Sequence, residues 1–278
     1  MDFDRVRRVP ASRSGEPSLL PSPNARAGSP SAPPTNRTII SFDNVTKIYD
    51  AKAKPALDNV SFNIQSGEFV ILSGPSGAGK STILRLIQRE ERATTGVVSV
   101  EGRNVGKLSR RASGKLRQDI GSVTTDPRLL PDKNVFSNVA YPLVVFGKQR
   151  HVIREMVPAV LKTVGLEGKE SRMPHELSTS DQLRVAIARA IVNKPKILLA
   201  DEPTNNLDPS TAAGIFGLLD EINWNGLTVV MATHSYDVAN RVRQPVRVIA
   251  LRNGVLLPGQ GHQGDVVAPA TSAVRAQR

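Results

Sequence analysis

The sequence contains no cysteine, and this excludes disulfides and thiolate metal centres and fits a reducing compartment. Its four histidines are scattered without metal-ligand spacing. Aromatic residues make up only 4% of the chain, so a core has to be built from aliphatic side chains. Acidic residues are in deficit, 25 against 37 Lys and Arg, leaving a net charge of +12. That excess favours anionic partners, which include nucleotides, nucleic acid and the negative inner face of a membrane, and charge alone does not choose among them. Long apolar runs are missing too: nothing approaches the roughly eighteen residues needed to span a bilayer, so no span is expected. The first residues lack an apolar signal core, and secretion is not expected.

What is present, over 278 residues, is enough for one α/β domain with tails. Residues 1–37 are rich in Pro, Ser and Arg without hydrophobic periodicity and read as a disordered tail, with a basic start at Arg5, Arg7 and Arg8. An ordered domain is expected over 38–259. Alternating or apolar runs predict strands at 38–45, 56–64, 69–72, 96–100 and 120–124, with a basic segment at 107–117 before the last. The pattern then turns helical, with helices at 134–145, 152–164 and 179–193. A helical subdomain over about 126–195, inserted in the α/β core, follows from this. Strands are expected again at 196–200, 227–232, 246–251 and 255–257, with helices at 210–224 and 236–242, and a frayed tail over 260–278.

The chemistry concentrates at two places. Gly74, Pro75, Ser76, Gly77, Ala78, Gly79, Lys80 and Ser81 fit G-x-x-x-x-G-K-[ST], between an expected strand and a helix expected at 80–89, and with Thr82 they are the expected nucleotide-binding residues of this loop. Such a loop turns successive backbone N–H groups inward as an anion nest at a helix N-terminus. Lys80 is placed to reach the β- and γ-phosphates of ATP, and Ser81 to put its hydroxyl on Mg2+. A chance glycine-rich turn would not need both flanking elements. The second place is the apolar run ending in Asp201 and Glu202. At the carboxyl end of a buried parallel strand, Asp201 can hold the Mg2+ shell through water, and Glu202 can polarise a water attacking the γ-phosphate.

Leu177 and Ser178 followed by DQLRVAIARA at 181–190, together with DEPTNNLDP at 201–209 and MATH at 231–234, resemble the ATP-binding subunits of ABC transporters. The resemblance covers about 38–259. It implies an α/β P-loop NTPase fold with an antiparallel β subdomain and an inserted helical subdomain. It also implies a D-loop at Asn206, Leu207 and Asp208, a γ-phosphate sensor at His234, and an adenine-stacking aromatic at Tyr49. Stretches outside the shared motifs, at 55–60, 115–121, 128–142 and 157–166, resemble the FtsE group of cell-division ATP-binding subunits in its actinobacterial form. That resemblance implies an FtsX-like integral membrane partner, control of peptidoglycan hydrolases, and a peripheral position on the cytoplasmic face of the plasma membrane.

Two positions depart from the family pattern. The signature begins Leu-Ser-Gly-Gly in the family, whereas Leu177 and Ser178 are followed here by Thr179 and Ser180. In an ATP-bound dimer that loop touches the γ-phosphate held by the other subunit, and added Cβ atoms obstruct close approach. Thr125 stands where the family has a Gln that touches Mg2+ and the attacking water, and a threonine hydroxyl reaches there only through another water. Weaker turnover is therefore expected than for an intact subunit. Three readings follow: an ATPase driving a membrane complex; an ATP-dependent dimerising clamp, as a homodimer or paired with an intact paralogue; and a nucleic-acid ATPase. The last is disfavoured by the lack of a recognition helix or aromatic-rich basic surface.

Overall fold

The computed structural model describes residues 37–205, 207–234, 246–257 and the backbone of 266–267. The helix expected at 236–242, the N-terminal tail and Asn206 lie outside the described residues. In chain order the strands are β1 (Thr38–Lys47), β2 (Leu57–Gln65), β3 (Phe69–Ser73), β4 (Thr95–Val100), β5 (Arg103–Asn104), β6 (Ile120–Thr124), β7 (Ile197–Asp201), β8 (Thr228–Thr233), β9 (Val246–Arg252), β10 (Val255–Leu256) and β11 (Val266–Val267). The helices are α1 (Lys80–Ile87), α2 (Arg110–Gln118), α3 (Val135–Val145), α4 (Arg150–Thr163), α5 (Thr179–Ile191) and α6 (Pro209–Trp224).

Two sheets result. One is antiparallel, in the order β2-β1-β4-β5; the other runs β10-β9-β3-β8-β7-β6, with β11 also paired to β9. β9, β3, β8, β7 and β6 are parallel neighbours. Strands buried on both faces read as continuous apolar runs, and β3 and β8 are buried along their whole length. Alternation divides their side chains between two cores. Phe69 and Ile71, Leu198 and Ala200, and Val229 and Met231 face a core built with α3 to α6. Val70 and Leu72, Ile197 and Leu199, and Val230 and Ala232 face a second core shared with α1 and the antiparallel sheet. The parallel sheet is thus sandwiched, and the edges of its strands decide where chemistry can occur.

Three elements differ from the expectations. The short strand β5 precedes the basic segment, which itself carries the helix α2, whose N-cap is Ser109 accepting from the Ala112 amide. Leu116 is the buried residue of α2, so periodicity had nothing to register. Val266–Val267, within the stretch expected to fray, pair with Val246 and Arg247 of β9, on the edge that β9 does not share with β3. Apolar residues of α3, α4 and α5 share the first core.

Candidate nucleotide site

Strand register explains why the chemistry gathers at one rim. Ser73, the last residue of β3, aligns with Thr233 of β8; Ala232 of β8 aligns with Asp201 of β7, and Asp201 with Thr124 of β6. The residues that follow these strand ends are Gly74, His234, Glu202 and Thr125. Four separate sequence segments therefore deliver their functional groups to one edge, where ligands bind in open α/β sheets.

The loop after β3 needs its glycines for definite reasons. Gly79 caps α1 at φ 105°, and a Cβ there would lie 2.6 Å from the Ala56 carbonyl oxygen and 2.7 Å from Leu57 Cδ2. Gly74, at φ 147°, has the Leu251 carbonyl oxygen where its Cβ would stand. Gly77 also has positive φ but faces open space, the side a ligand would occupy. Ser76 and Gly77 are exposed, whereas Ala78 is buried in the second core and Thr82 lies buried on α1. Pro75 begins the turn and accepts from the Ala78 amide at 3.1 Å.

Lys80 is buried at 6% exposure, and its ammonium donates to the carbonyls of Gly74 at 2.7 Å and Pro75 at 3.1 Å. The same Nζ lies 3.6 Å from Glu202 Oε1. The Ser81 hydroxyl donates to Asp201 Oδ1 at 3.0 Å. A hydroxyl and a carboxylate so close are hard oxygen donors of the kind Mg2+ prefers, so the residues fit that ion. Glu202 occupies φ 48°, an uncommon conformation for a non-glycine residue, and its amide donates to the Ala232 carbonyl at 2.9 Å. Its Oε2 is 2.8 Å from His234 Nδ1. With the carboxylate as acceptor, the ring proton sits on Nδ1 and Nε2 is left outward.

Thr125 is fixed by backbone carbonyls. Its hydroxyl donates to the backbone carbonyl of Glu202 at 2.9 Å, with that of Asp201 at 3.3 Å, and its amide donates to the Asp201 carbonyl at 3.1 Å. Thr125 thereby fastens the backbone from which both carboxylates project. Nothing in the sequence gives the direction of that hydroxyl.

Tyr49 is 53% exposed on the loop between β1 and β2, so its ring is free for stacking on one side. Lys47 Nζ covers the other side, 4.6 Å from the ring centroid, and is itself held by Glu91 at 2.9 Å. The signature residues lie elsewhere. Ser178 caps α5 by accepting from the Asp181 amide at 3.1 Å, and Thr179 and Ser180 form the first turn. Among the described residues, no hydrogen bond or ion pair joins 178–180 to the loop at 74–82. Leu207 packs against the core shared with the helices. Asp208 caps α6, accepting from the amides of Ser210 and Thr211 at 3.0 Å each and from the Ser210 hydroxyl at 2.5 Å. These bonds, from Ser210 first and then Thr211, hold its carboxyl far below the usual carboxylate range.

A depression of about 400 Å³ opens along the edge strand β6, lined by Arg117, Gly121, Arg128, Leu130, Tyr141 and Arg189 among others. The segment after Thr125 is tethered there: Arg189 donates to the carbonyls of Pro127 at 2.6 Å and Arg128 at 2.9 Å. Asn138, fully buried, donates to the carbonyls of Leu130, Lys133 and Asn134 and accepts from the Leu130 amide. Tyr141, Val144 and Val145 on α3 are each more than half exposed. No helix among the described residues is long and apolar enough to cross a membrane.

The ABC transporter family model matches residues 57–205. The cell division ATP-binding protein FtsE of Mycobacterium tuberculosis is 52% identical over 219 residues, 79% of this chain and 94% of that protein. FtsE of Escherichia coli K12 is 44% identical over 225 residues, 81% of this chain and all of that protein. Among solved structures, the dimeric ATP-binding cassette MJ0796 in a post-hydrolysis state with ADP and Pi is 38% identical. Its TM-score is 0.69, over 78% of this chain and 96% of that one. Clostridium perfringens cbiO1, part of an ABC transporter complex, has a TM-score of 0.73 at 30% identity over 80% of this chain and 88% of that one.

Proposed function

We propose that this chain, which belongs to the ABC transporter family, is the ATP-binding and ATP-hydrolysing subunit of an FtsEX-like membrane complex in cell division. The observation that carries the reading is the assembly of Lys80, Ser81, Asp201, Glu202 and His234 at one rim of the sheet, in a chain similar to cell-division ATP-binding proteins along most of its length.

The loop at 74–79 cradles the phosphates with backbone N–H groups, and Lys80 exchanges its carbonyl partners for phosphate oxygens. Glu202 Oε1, released from Lys80, faces the site as acceptor for a proton of the attacking water, while Oε2 stays oriented by His234. For His234 to donate to a phosphate oxygen as well, its outward Nε2 needs a proton, so the sensor works either as an imidazolium or after letting go of Glu202. Ser81 and Asp201 are the residues that would hold Mg2+, which would supply positive charge to the phosphates. ATP joins two subunits head to tail, with Ser178, Thr179 and Ser180 of one approaching the γ-phosphate on the other. Thr179 and Ser180 slow that closure, and pairing with a paralogue carrying an intact signature restores one of two sites.

An FtsX-like membrane protein docks in the depression beside Tyr141, Val144 and Val145. Leu130 and Arg128 there are a few residues from Thr125, so pressure on the depression reaches the backbone of Glu202 through the clamp described above. The subunit thereby lies on the cytoplasmic face of the membrane. The test is ATP-driven dimerisation and hydrolysis by the purified chain with and without its membrane partner. Nucleotide binding without any stimulation by that partner would contradict the membrane part of the reading.

A further inference from the structure

Helix α2 and the residues leading into it carry charge for which the nucleotide site has no use. From Arg103 to Arg117 the sequence holds Arg103, Lys107, Arg110, Arg111, Lys115 and Arg117, with no Asp or Glu. The next acid, Asp119, is taken by Arg103 at 2.8 Å. Leu116 points α2 into the protein, and at about 100° per residue Arg110, Arg111, Lys115 and Arg117 fan across the opposite arc. These four and Lys107 are exposed. Because the apolar face of α2 is already buried against the domain, nothing on it is left to insert into hydrocarbon, and contact with a partner has to be Coulombic.

We infer that this face of α2 binds a surface of anionic lipid headgroups by charge, independently of any protein partner. No aromatic residue lies between Arg103 and Gln118 to stack on bases. The C-terminal end of α2, Arg117 and Gln118, lines the same depression as the exposed Tyr141, so the basic face and the apolar docking face adjoin. The choice of lipid over nucleic acid rests on that lack of aromatics and on the reading that the chain works at a membrane. Anionic lipid attracts each nearby basic side chain enough to multiply partitioning roughly fivefold at low ionic strength, and salt screens the effect.

The test is sedimentation of the full-length protein with vesicles of phosphatidylcholine alone or mixed with phosphatidylglycerol, at low and high salt. Binding is expected to the mixed vesicles only and to fall as salt rises. A variant carrying Lys107→Gln, Arg110→Gln, Arg111→Gln and Lys115→Gln is expected to partition at least about tenfold more weakly while still binding ATP. Arg111→Glu alone should weaken partitioning more than Arg111→Gln, which keeps the test independent of the folding of the fourfold variant. Equal binding to neutral vesicles, or an unchanged partition for these variants because the basic N-terminal tail carries the contact, overturns the inference. So does tighter retention on duplex or single-stranded nucleic acid at the same salt. ATP binding measured on the same samples separates this failure from failure of the nucleotide site.

Discussion

Replacing Thr125 by valine removes one hydroxyl while keeping the shape of the side chain, and the structure says what that hydroxyl does. It donates to the Glu202 carbonyl at 2.9 Å and lies 3.3 Å from that of Asp201, in a part-buried position. Loss of such a bond costs about 1 kcal/mol, with the higher figures reserved for fully buried groups. In a domain of this size that corresponds to a melting temperature lowered by about 2–4 °C. The catalytic effect is larger. Glu202 is held at φ 48° by its own amide bond to Ala232 and by this hydroxyl, and a carboxylate displaced by even a fraction of an ångström positions water poorly. We expect kcat to fall about tenfold, with KM for ATP little changed because the loop and Lys80 are untouched. Thr125→Ser keeps the donor and should retain both stability and kcat. Steady-state ATPase kinetics and thermal melts of the three proteins decide it. A valine variant with unaltered kcat and melting temperature, or a serine variant as impaired as valine, refutes the clamp.

Gly79→Ala should abolish ATP binding and lower stability, since its Cβ would meet backbone at 2.6 Å in a positive-φ position. Gly77→Ala, whose Cβ meets no protein atom, should lower stability by only about 1 kcal/mol while weakening ATP binding, because that Cβ faces the ligand side; melts and nucleotide titrations compare the two. Asp208 contributes to stability through a folded-state carboxyl held well below its unfolded value of about 3.9. A depressed carboxylate stabilises fully above the unfolded value and loses its contribution as pH falls below it. The gap in melting temperature between wild type and Asp208→Ala should therefore be present at neutral pH and close in acid. Changing both Thr179→Gly and Ser180→Gly should raise hydrolysis by about tenfold if two copies of this chain form the working dimer. No gain, with activity appearing only on mixing with a paralogous subunit, points to the mixed dimer.

Much of the fold and site was legible because parallel strands buried on both faces leave uninterrupted apolar runs, and β3, β7 and β8 were read within a residue or two of their ends. The loop at 74–81 and the Asp201–Glu202 pair declared themselves by spacing. Their convergence at one rim is a property of register, which pairs Ser73 with Thr233 and Asp201 with Ala232 and cannot be read from any one segment. Helix α2 was hidden because one buried leucine in a basic segment gives no period; Ser109 as a cap was the signal available. The direction of the Thr125 hydroxyl, the Lys47 ammonium over Tyr49 and the hold of Arg189 on the loop at 127–128 are tertiary facts. Residue type at those positions permits several partners, and only packing selects one.

The central claim is that Glu202, steered by His234 and Thr125, drives ATP hydrolysis in a membrane-coupled subunit. Its most direct measurement is ATP turnover by the wild-type chain and by Glu202→Gln, each with and without the FtsX-like membrane protein. ATP binding by both proteins is expected, with hydrolysis by the wild type that rises with the membrane protein and a loss of about a hundredfold or more in the variant. Equal turnover by the two proteins in the presence of the membrane partner would contradict it.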